Sequence, residues 1–182
     1  ESITANQKII LSVGRLVPYK GFDKIIKIAK YLPKNQRLVI VGKGPFESQL
    51  KKINIDKKVI ILSNITDNEL EYLFKRACIF LLPSIDRRES FGIVLLEALR
   101  SGLPIIANKI NGSGVNWINQ NKKTGLNINF TNTNHIARKI VSLANDEVKI
   151  SEMKKNCKKR FNELFTSEEM IKKINSLYEE II

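Results

Sequence analysis

Short apolar runs of strand length alternate along this chain with longer segments of helical periodicity, and this alternation limits the possible folds. The runs read KIILSV, RLVIVG, KVIILS, CIFLLP, LPIIA and GLNIN, at residues 8–13, 37–42, 58–63, 78–83, 103–107 and 125–129. Strands that are apolar along their length are buried on both faces, as in a parallel sheet covered by helices. Strand–helix alternation joins such strands by right-handed crossovers.

The segments between the strands carry apolar residues three and four positions apart, which is typical of helices packed on a sheet. Thr66 and Asp67 are candidate caps for one helix, and Gly102 is a candidate left-handed terminator of another. We therefore predict one α/β domain over residues 1–182, a doubly wound, Rossmann-like parallel sheet of about six strands with helices on both faces and a helical C-terminal tail. Helices are predicted at 21–32, 45–53, 66–77, 91–102, 132–145, 147–165 and 167–181.

The charge balance indicates an anionic partner. Lys and Arg number 31 against 18 Asp and Glu, a net charge of +13, and such a field attracts nucleic acid, acidic lipid or phosphorylated small molecules. Specific nucleic-acid binding is not predicted, because no arginine-rich arm or basic–aromatic interleaving accompanies the charge. A solvated basic surface and association with an anionic membrane surface both stay open. No apolar run approaches the roughly 18 residues of a spanning helix.

Cysteine, histidine and aspartate are sparse and unclustered. Cys78 and Cys157 have neither disulfide nor metal-ligand spacing, which fits a reducing compartment and a cytoplasmic location. No Asp-x-Asp triplet or histidine cluster is present, so neither a metal site nor a cofactor is predicted. The first residue is Glu1 rather than Met, and we expect the chain to be a fragment cut at a linker.

Ligands of doubly wound sheets bind outside the carboxyl ends of the strands, so the loops there are the candidate site. GRLVPYKG follows the first strand; Gly14 permits a sharp turn, and Arg15 and Lys20 could neutralise a diphosphate. GKGP follows the second strand, where Gly42 and Gly44 allow close backbone approach. A dinucleotide loop is not predicted, because its third glycine and its acidic residue are missing.

Two glutamates eight positions apart flank the start of the helix predicted at 91–102. That helix N-terminus suits phosphate, and Glu89 just outside it would face the same cleft. Glu97 lies in the apolar sequence IVLLEALR, so it is expected to be buried, which is costly for an unpaired carboxylate. The alternative is structural, with Glu89 near a cap and Glu97 a satisfied buried acid. We favour two carboxylates that hold hydroxyls on different parts of one ligand.

Several motifs occur together in a familiar order. GRLVPYKG, VGKGP, ESFGIVLLEA, SGLPIIA and KKTGL resemble the C-terminal domain of family 4 retaining glycosyltransferases, which have the two-domain GT-B architecture. The resemblance covers roughly residues 8–130. It implies that Glu89 contacts the transferred sugar as the catalytic residue and that Glu97 holds the ribose hydroxyls. Arg15 and Lys20 would grip the diphosphate. The other implied donor-binding residues are Gly14, Gly42, Asn64, Ile65, Ser90, Phe91, Gly92 and Ile93.

The resemblance implies the donor domain of a metal-independent enzyme that moves a sugar from a nucleoside diphosphate to a glycan or lipid-linked acceptor. We expect a role in bacterial surface polysaccharide synthesis at the inner face of the plasma membrane, with the acceptor bound by an N-terminal domain outside this chain. The alternatives are an inactive binding module of the same fold, a sugar epimerase and a basic RNA-binding domain. The epimerase would need catalytic acids and histidines that we do not find.

Three features stand outside the resemblance. Relatives often carry Gly-Gly and Pro-Glu after PIIA, whereas this chain has Asn111-Gly112 and Val115-Asn116, so the usual sugar contact of that loop is not expected. His135 is interpreted as a surface or cap-region residue. Trp117 is interpreted as a packing residue rather than a platform for a sugar.

Overall fold

A single parallel sheet forms the centre of the molecule in the computed structural model, which describes residues 3, 4 and 6–181. The predicted α/β, doubly wound architecture is confirmed, with strand order β3-β2-β1-β4-β5-β6. The strands are β1 (Lys8–Val13), β2 (Gln36–Val41), β3 (Val59–Leu62), β4 (Ile79–Leu82), β5 (Ile105–Asn108) and β6 (Gly125–Ile128).

The helices cover both faces of this sheet and continue past its last strand. They are α1 (Phe22–Ala29), α2 (Glu47–Ile53), α3 (Asp67–Arg76), α4 (Val94–Arg100), α5 (Val115–Ile118), α6 (Thr133–Asn145), α7 (Glu147–Leu164) and α8 (Ser167–Ile181), and a short 3-10 turn spans Pro18–Lys20. In the part of the chain that the structure describes, no helix combines the length and apolarity needed to cross a bilayer.

Two apolar clusters, one on each side of the sheet, explain why the strands are apolar throughout. Ile10 of β1 belongs to one cluster, while its neighbours Ile9 and Leu11 belong to the other. Successive side chains of a strand point to opposite faces, so a strand covered on both faces needs apolar residues at every position. Burial of both faces therefore selects the sequence pattern that predicted the sheet.

Helix ends follow the predicted caps in two cases and depart from prediction in a third. Thr66 and Glu69 form a reciprocal capping box at the start of α3, and Gly102 has the left-handed φ of +67° after α4. The predicted start of α4 at residue 91 is wrong, since the helix begins at Val94. Gly92 has φ +77°, which is incompatible with helix. The short helix α5 was not predicted.

Both thiols are expected to react very slowly in the native protein. Burial raises the pKa of Cys78 to about 11 and that of Cys157 to about 12. Only thiolates are nucleophilic, so at pH 8 the thiolate fraction of Cys78 is roughly two hundred-fold below that of a free cysteine. A disulfide reagent such as Ellman's should modify both thiols rapidly in denaturant and neither at a comparable rate in buffer. Rapid native modification would contradict this packing.

Candidate functional site

The strand order reverses at β1 and β4, and the loops that follow these two strands meet there. β1 leads to β2 and β3 on one side, whereas β4 returns to the other side of β1. A crevice opens at the carboxyl ends of strands at such a switch point. The candidate site is therefore the space around the loops after β1 and β4, which contain Lys20 and Glu89.

A buried cluster of three side chains joins these two loops. Lys20 Nζ lies 2.5 Å from Glu89 Oε2, and the Ser84 hydroxyl donates to the same oxygen at 2.6 Å. Ser84 is fully buried and Glu89 is 5% exposed. A carboxylate at this depth needs charge compensation and hydrogen bonds, and the two donors provide both. The cluster holds an ionised carboxylate at the switch point.

The second carboxylate oxygen of Glu89 has a different environment. Among the residues that the structure describes, no hydrogen bond reaches Oε1 of Glu89, whereas Oε2 accepts from both Lys20 and Ser84. An ionised carboxylate has about four lone-pair sites, so the group retains acceptor capacity. The Lys20 ammonium has three donors, of which Glu89 uses one. A ligand with hydroxyl and phosphate groups can therefore be bound by these two residues together.

Close backbone contact holds Lys20 against this second loop. Tyr19 O accepts a hydrogen bond from Ile85 N at 2.9 Å, which fastens the 3-10 turn to the end of β4. Gly21 has φ +71°, and a Cβ on it would lie 2.4 Å from Pro83 O. Only glycine fits a left-handed residue this close to another backbone. Gly21 thus permits the approach that brings Lys20 to Glu89.

The loops after β1 and β2 are equally close. A Cβ on Gly42 would lie 1.9 Å from Gly14 O, and one on Gly44 would lie 2.3 Å from Leu16 O. Leu16 N also donates to Lys43 O at 2.8 Å. Gly42 and Gly44 thus allow the two loops to approach each other closely, and their close approach to a ligand stays a prediction.

Arg15 and the residues before α4 lie at the rim of the crevice. The Arg15 side chain is exposed, as is Ser90. Ile93 is 71% exposed and Phe91 39% exposed. Their donor contacts stay predictions, and their position beside Glu89 is compatible with them. The backbone from Phe91 to Ile93 lies outside the helix, so its N–H groups precede the N-terminus of α4.

Glu97 does not occupy the buried position predicted from its apolar neighbours. Its side chain is exposed, because Glu97 is two positions from both Leu95 and Leu99, which are buried, and so lies on the opposite face of α4. Glu97 lines a cavity of about 250 Å³ together with seven further residues, Asp67, Asn68, Leu70, Glu71, Phe74, Arg100 and Ser101. Desolvation by the cavity walls raises the pKa of Glu97, and Arg100 opposes that rise.

This cavity extends the candidate site toward the first turn of α3. Asn64 and Ile65 directly precede Thr66, the N-cap of α3, so they lie at the same end of that helix as Asp67 and Asn68. Asn64 is exposed and Ile65 half-buried. Neither residue is among those that line the cavity beside Glu97, and the contacts of their main-chain groups with a nucleotide stay a prediction. No contact in the described part of the chain joins Glu97 to Glu89, and Glu89 is not among the residues that line this cavity; the ligand contacts of both carboxylates stay predictions.

Two serines of the site were missed by the sequence analysis. Ser84 lies two residues past the end of β4, so its place near a carboxyl strand end was the available signal. Ser113 lies in the divergent loop after β5 and donates to Glu89 O at 2.5 Å; no sequence motif marks it. Asn108, at the end of β5, supports Ser84 by donating from Nδ2 to Ser84 O at 2.8 Å.

The two residues interpreted as structural have positions that fit that interpretation. His135 is exposed in the first turn of α6. Trp117 is 54% exposed, but its ring packs edge-on against Phe165, with centroids 5.3 Å apart. The Arg160 guanidinium lies 5.4 Å from the centre of the same ring and donates to Ile118 O at 2.9 Å, at the C-terminus of α5.

Known proteins are similar to this chain in sequence and in fold. Residues 1–160 match the family described as glycosyl transferases group 1. The O-antigen chain mannosyltransferase C of Escherichia coli is 31% identical over 180 residues, which cover 96% of this chain and 47% of the relative. An Escherichia coli UDP-Gal:alpha-D-GlcNAc-diphosphoundecaprenol alpha-1,3-galactosyltransferase is 29% identical, over 97% of this chain and 46% of the relative.

Solved structures agree with these sequence matches. Sucrose-phosphate synthase from Thermosynechococcus elongatus superposes with a TM-score of 0.82 at 25% identity, over 98% of this chain and 46% of that protein. The HepE protein of Anabaena, solved with UDP, has the same fold, with a TM-score of 0.83 at 20% identity, over 97% of this chain and 50% of that protein. The chain spans about half the length of the relatives that it matches. The predicted resemblance is confirmed, and the chain belongs to the group 1 glycosyl transferases.

Proposed function

We propose that this chain is the donor-binding half of a retaining, metal-independent glycosyltransferase that uses a nucleoside-diphosphate sugar. The observation that supports this most strongly is the buried Lys20–Glu89–Ser84 cluster at the switch point of the sheet, where Lys20 Nζ lies 2.5 Å from Glu89 Oε2. The cluster supplies the Lys20 ammonium for a diphosphate and the Glu89 carboxylate for a sugar, and these two groups are in direct contact. Family membership adds the reaction class to this chemistry.

The proposed reaction breaks the bond between the anomeric carbon of the sugar and the diphosphate oxygen. The bonding electrons leave with the diphosphate, and the acceptor hydroxyl oxygen forms the new bond on the same face while its proton passes to the departing phosphate. Arg15 and Lys20 stabilise the negative charge on the leaving group. Glu89 orients the sugar and stabilises the positive charge that develops on it.

The cavity beside Glu97 is proposed to hold the nucleoside. Glu97 accepts from the ribose hydroxyls, and main-chain groups of Asn64 and Ile65 contact the base. The cavity volume of about 250 Å³ and its polar lining suit a ribose with part of a base. One relative is named for UDP-Gal, and one structure of the same fold was solved with UDP, which supports a uridine or similar nucleotide.

The acceptor is proposed to be a glycan or a lipid-linked glycan. Relatives named for O-antigen chains and for poly(ribitol-phosphate) support a bacterial surface polysaccharide. Because the chain spans about half of its relatives, we propose that a further domain of the whole protein binds this acceptor. The net charge of +13 supports association with an anionic membrane from the cytoplasmic side.

Titration calorimetry of this chain with UDP, GDP and ADP tests the nucleotide site. We expect one nucleotide to bind, and Arg15→Ala and Glu97→Ala each to weaken it about ten-fold, since each removes a charge-assisted hydrogen bond. Arg138→Ala and Glu152→Ala, which remove exposed charges of the same types from α6 and α7, are the matched controls. Equal weakening by the controls, or no nucleotide binding at all, would contradict the proposed donor site.

The inactive binding module predicts the same nucleotide affinity but no turnover. Glu89→Ala in the whole protein separates the two functions. An enzyme should lose sugar transfer while keeping nucleotide binding, whereas a binding module has no transfer to lose.

A further inference from the structure

The loop after β5 is fastened to the loop that carries Glu89. The Ser113 hydroxyl donates to Glu89 O at 2.5 Å and lies 3.4 Å from Ser90 O. The next residue, Gly114, donates from its backbone N–H to Ser90 O at 2.7 Å. Two successive carbonyls of the Glu89 loop thus accept hydrogen bonds from two successive residues of the other loop.

The orientation of the Ser113 hydroxyl is fixed by its second contact. Val115 N donates to Ser113 Oγ at 3.2 Å, so the oxygen accepts from the first residue of α5 while its hydrogen points to Glu89 O. A hydroxyl is both a donor and an acceptor, and this position uses both capacities. Alanine would leave the Glu89 carbonyl and the Val115 N–H without these partners.

Glu89 is consequently held at three separate points. Its N–H donates to Asp86 O at 3.1 Å, its carbonyl accepts from Ser113, and its carboxylate is bound by Lys20 and Ser84. The contacts with Lys20 and Ser84 fix the position of Oε2, whereas the direction in which Oε1 points also depends on the position of the Glu89 backbone. The Ser113 hydroxyl is the side-chain contact that, together with the Gly114 N–H, ties this backbone to the loop after β5.

We propose that Ser113 is a positioning residue for sugar binding, which sets the free oxygen of Glu89 against the donor sugar. The inference rests on the proposed function. It assigns to the divergent loop after β5 a role different from a direct contact with the sugar. A small displacement of a positioned group lowers binding or rate strongly, because the productive geometry is narrow. Removal of the Ser113 hydroxyl should thus weaken the hold on the sugar, while the proposed nucleoside contacts, which lie in the separate cavity beside Glu97, stay intact.

The experiment compares the affinity for a nucleotide sugar with the affinity for its nucleotide. The pairs are UDP with UDP-glucose and UDP-galactose, and GDP with GDP-mannose, titrated into this chain by calorimetry. The dissociation constant for the nucleotide divided by that for its nucleotide sugar measures how much the sugar adds to binding. We expect Ser113→Ala to lower this ratio about five-fold or more and to change the affinity for the bare nucleotide less than two-fold.

Three further variants make the result specific. Ser113→Thr keeps the hydroxyl and should restore the ratio. Glu89→Gln should lower it as Ser113→Ala does. Ser176→Ala, which removes a hydroxyl that donates to the Lys172 carbonyl on α8, should leave it unchanged. Thermal melts confirm that each variant folds.

Four outcomes would overturn the inference, and the last two would also contradict the role proposed for Glu89. If Ser113→Ala keeps the ratio, or weakens nucleotide and nucleotide sugar equally, Ser113 supports the fold and does not position Glu89. The role assigned to Glu89 fails if Glu89→Gln keeps the ratio, or if the wild-type chain binds each nucleotide sugar with the same affinity as its nucleotide. The inference then fails as well.

Discussion

Replacement of Lys20 by methionine is expected to lower the free energy of unfolding by about 2–4 kcal/mol and to abolish measurable binding of a nucleoside diphosphate. The side chains of Lys20 and Glu89 are 13% and 7% exposed. Removal of Lys20 leaves the Glu89 carboxylate buried with a single donor, the Ser84 hydroxyl. The loss of stability is then larger than the stability that the ion pair itself contributed, because a charge stays buried without its partner. Urea denaturation at pH 7 measures the first effect, and calorimetry with the nucleotide that binds measures the second.

Arg15→Met is the matched control for this variant. Arg15 carries the same charge at the same crevice, but its side chain is exposed, and no hydrogen bond or ion pair of that side chain appears in the described part of the chain. It should weaken nucleotide binding and leave the urea midpoint unchanged. The double variant Lys20→Met/Glu89→Gln should recover part of the lost stability. A Lys20→Met protein as stable as wild type would show that the pair does not compensate Glu89.

Replacement of Gly21 by alanine is expected to lower the free energy of unfolding by about 3 kcal/mol or more and to weaken nucleotide binding strongly. The added Cβ meets a backbone oxygen, Pro83 O, at 2.4 Å, and φ is +71°. A backbone atom cannot turn away as a side chain can, so the 3-10 turn must move off the end of β4 and carry Lys20 from Glu89. Thermal or urea denaturation and nucleotide titration measure the two effects.

Gly102→Ala is the control that separates two effects of Gly21→Ala, the strain of a left-handed backbone and the clash of the added Cβ with Pro83 O. Gly102 has a similar φ of +67°, but its added Cβ meets Lys158 Cε at 2.8 Å, the far end of an exposed side chain that can move away. We expect a loss of only about 1 kcal/mol, the usual cost of a left-handed non-glycine residue, and unchanged nucleotide binding. Equal effects of the two substitutions would mean that close approach to Pro83 does not hold the turn.

The sheet could be predicted because burial on both faces leaves a direct trace in the chain. Ile9, Ile10 and Leu11 must all be apolar when alternate residues enter opposite clusters, and a parallel sheet is the arrangement that demands this. The caps were equally local. Thr66 was one of two candidate caps, and it bonds with Glu69 within one turn at the start of α3. Family motifs added the candidate residues Lys20 and Glu89, which the fold then brought together.

Burial of single side chains near helix ends could not be predicted in this way. The apolar residues around Glu97 indicated a buried carboxylate, yet its side chain is exposed and lines the cavity beside α3. Leu95, Ala98 and Leu99 are the buried residues of α4, and Glu97 lies about 200° around the helix axis from Leu95 and Leu99 at about 100° per residue. Apolar neighbours in sequence therefore predict that the helix packs on the sheet, whereas the rotation of the helix against the sheet decides which of its residues face solvent.

The sequence by itself determined the strand–helix alternation, the sheet it requires and the residues that the family motifs mark, because those depend on neighbours along the chain. Only the tertiary structure decided that Lys20 and Ser84 share one oxygen of Glu89 and that Ser113 holds its backbone. The Lys20 and Ser113 contacts join residues 69 and 24 positions apart on different loops, and the Ser84 contact joins residues 5 positions apart on one loop. Their geometry depends on how closely whole strands and turns pack. Glycines such as Gly21 permit this close packing, but a glycine in the sequence does not by itself predict which segments come together.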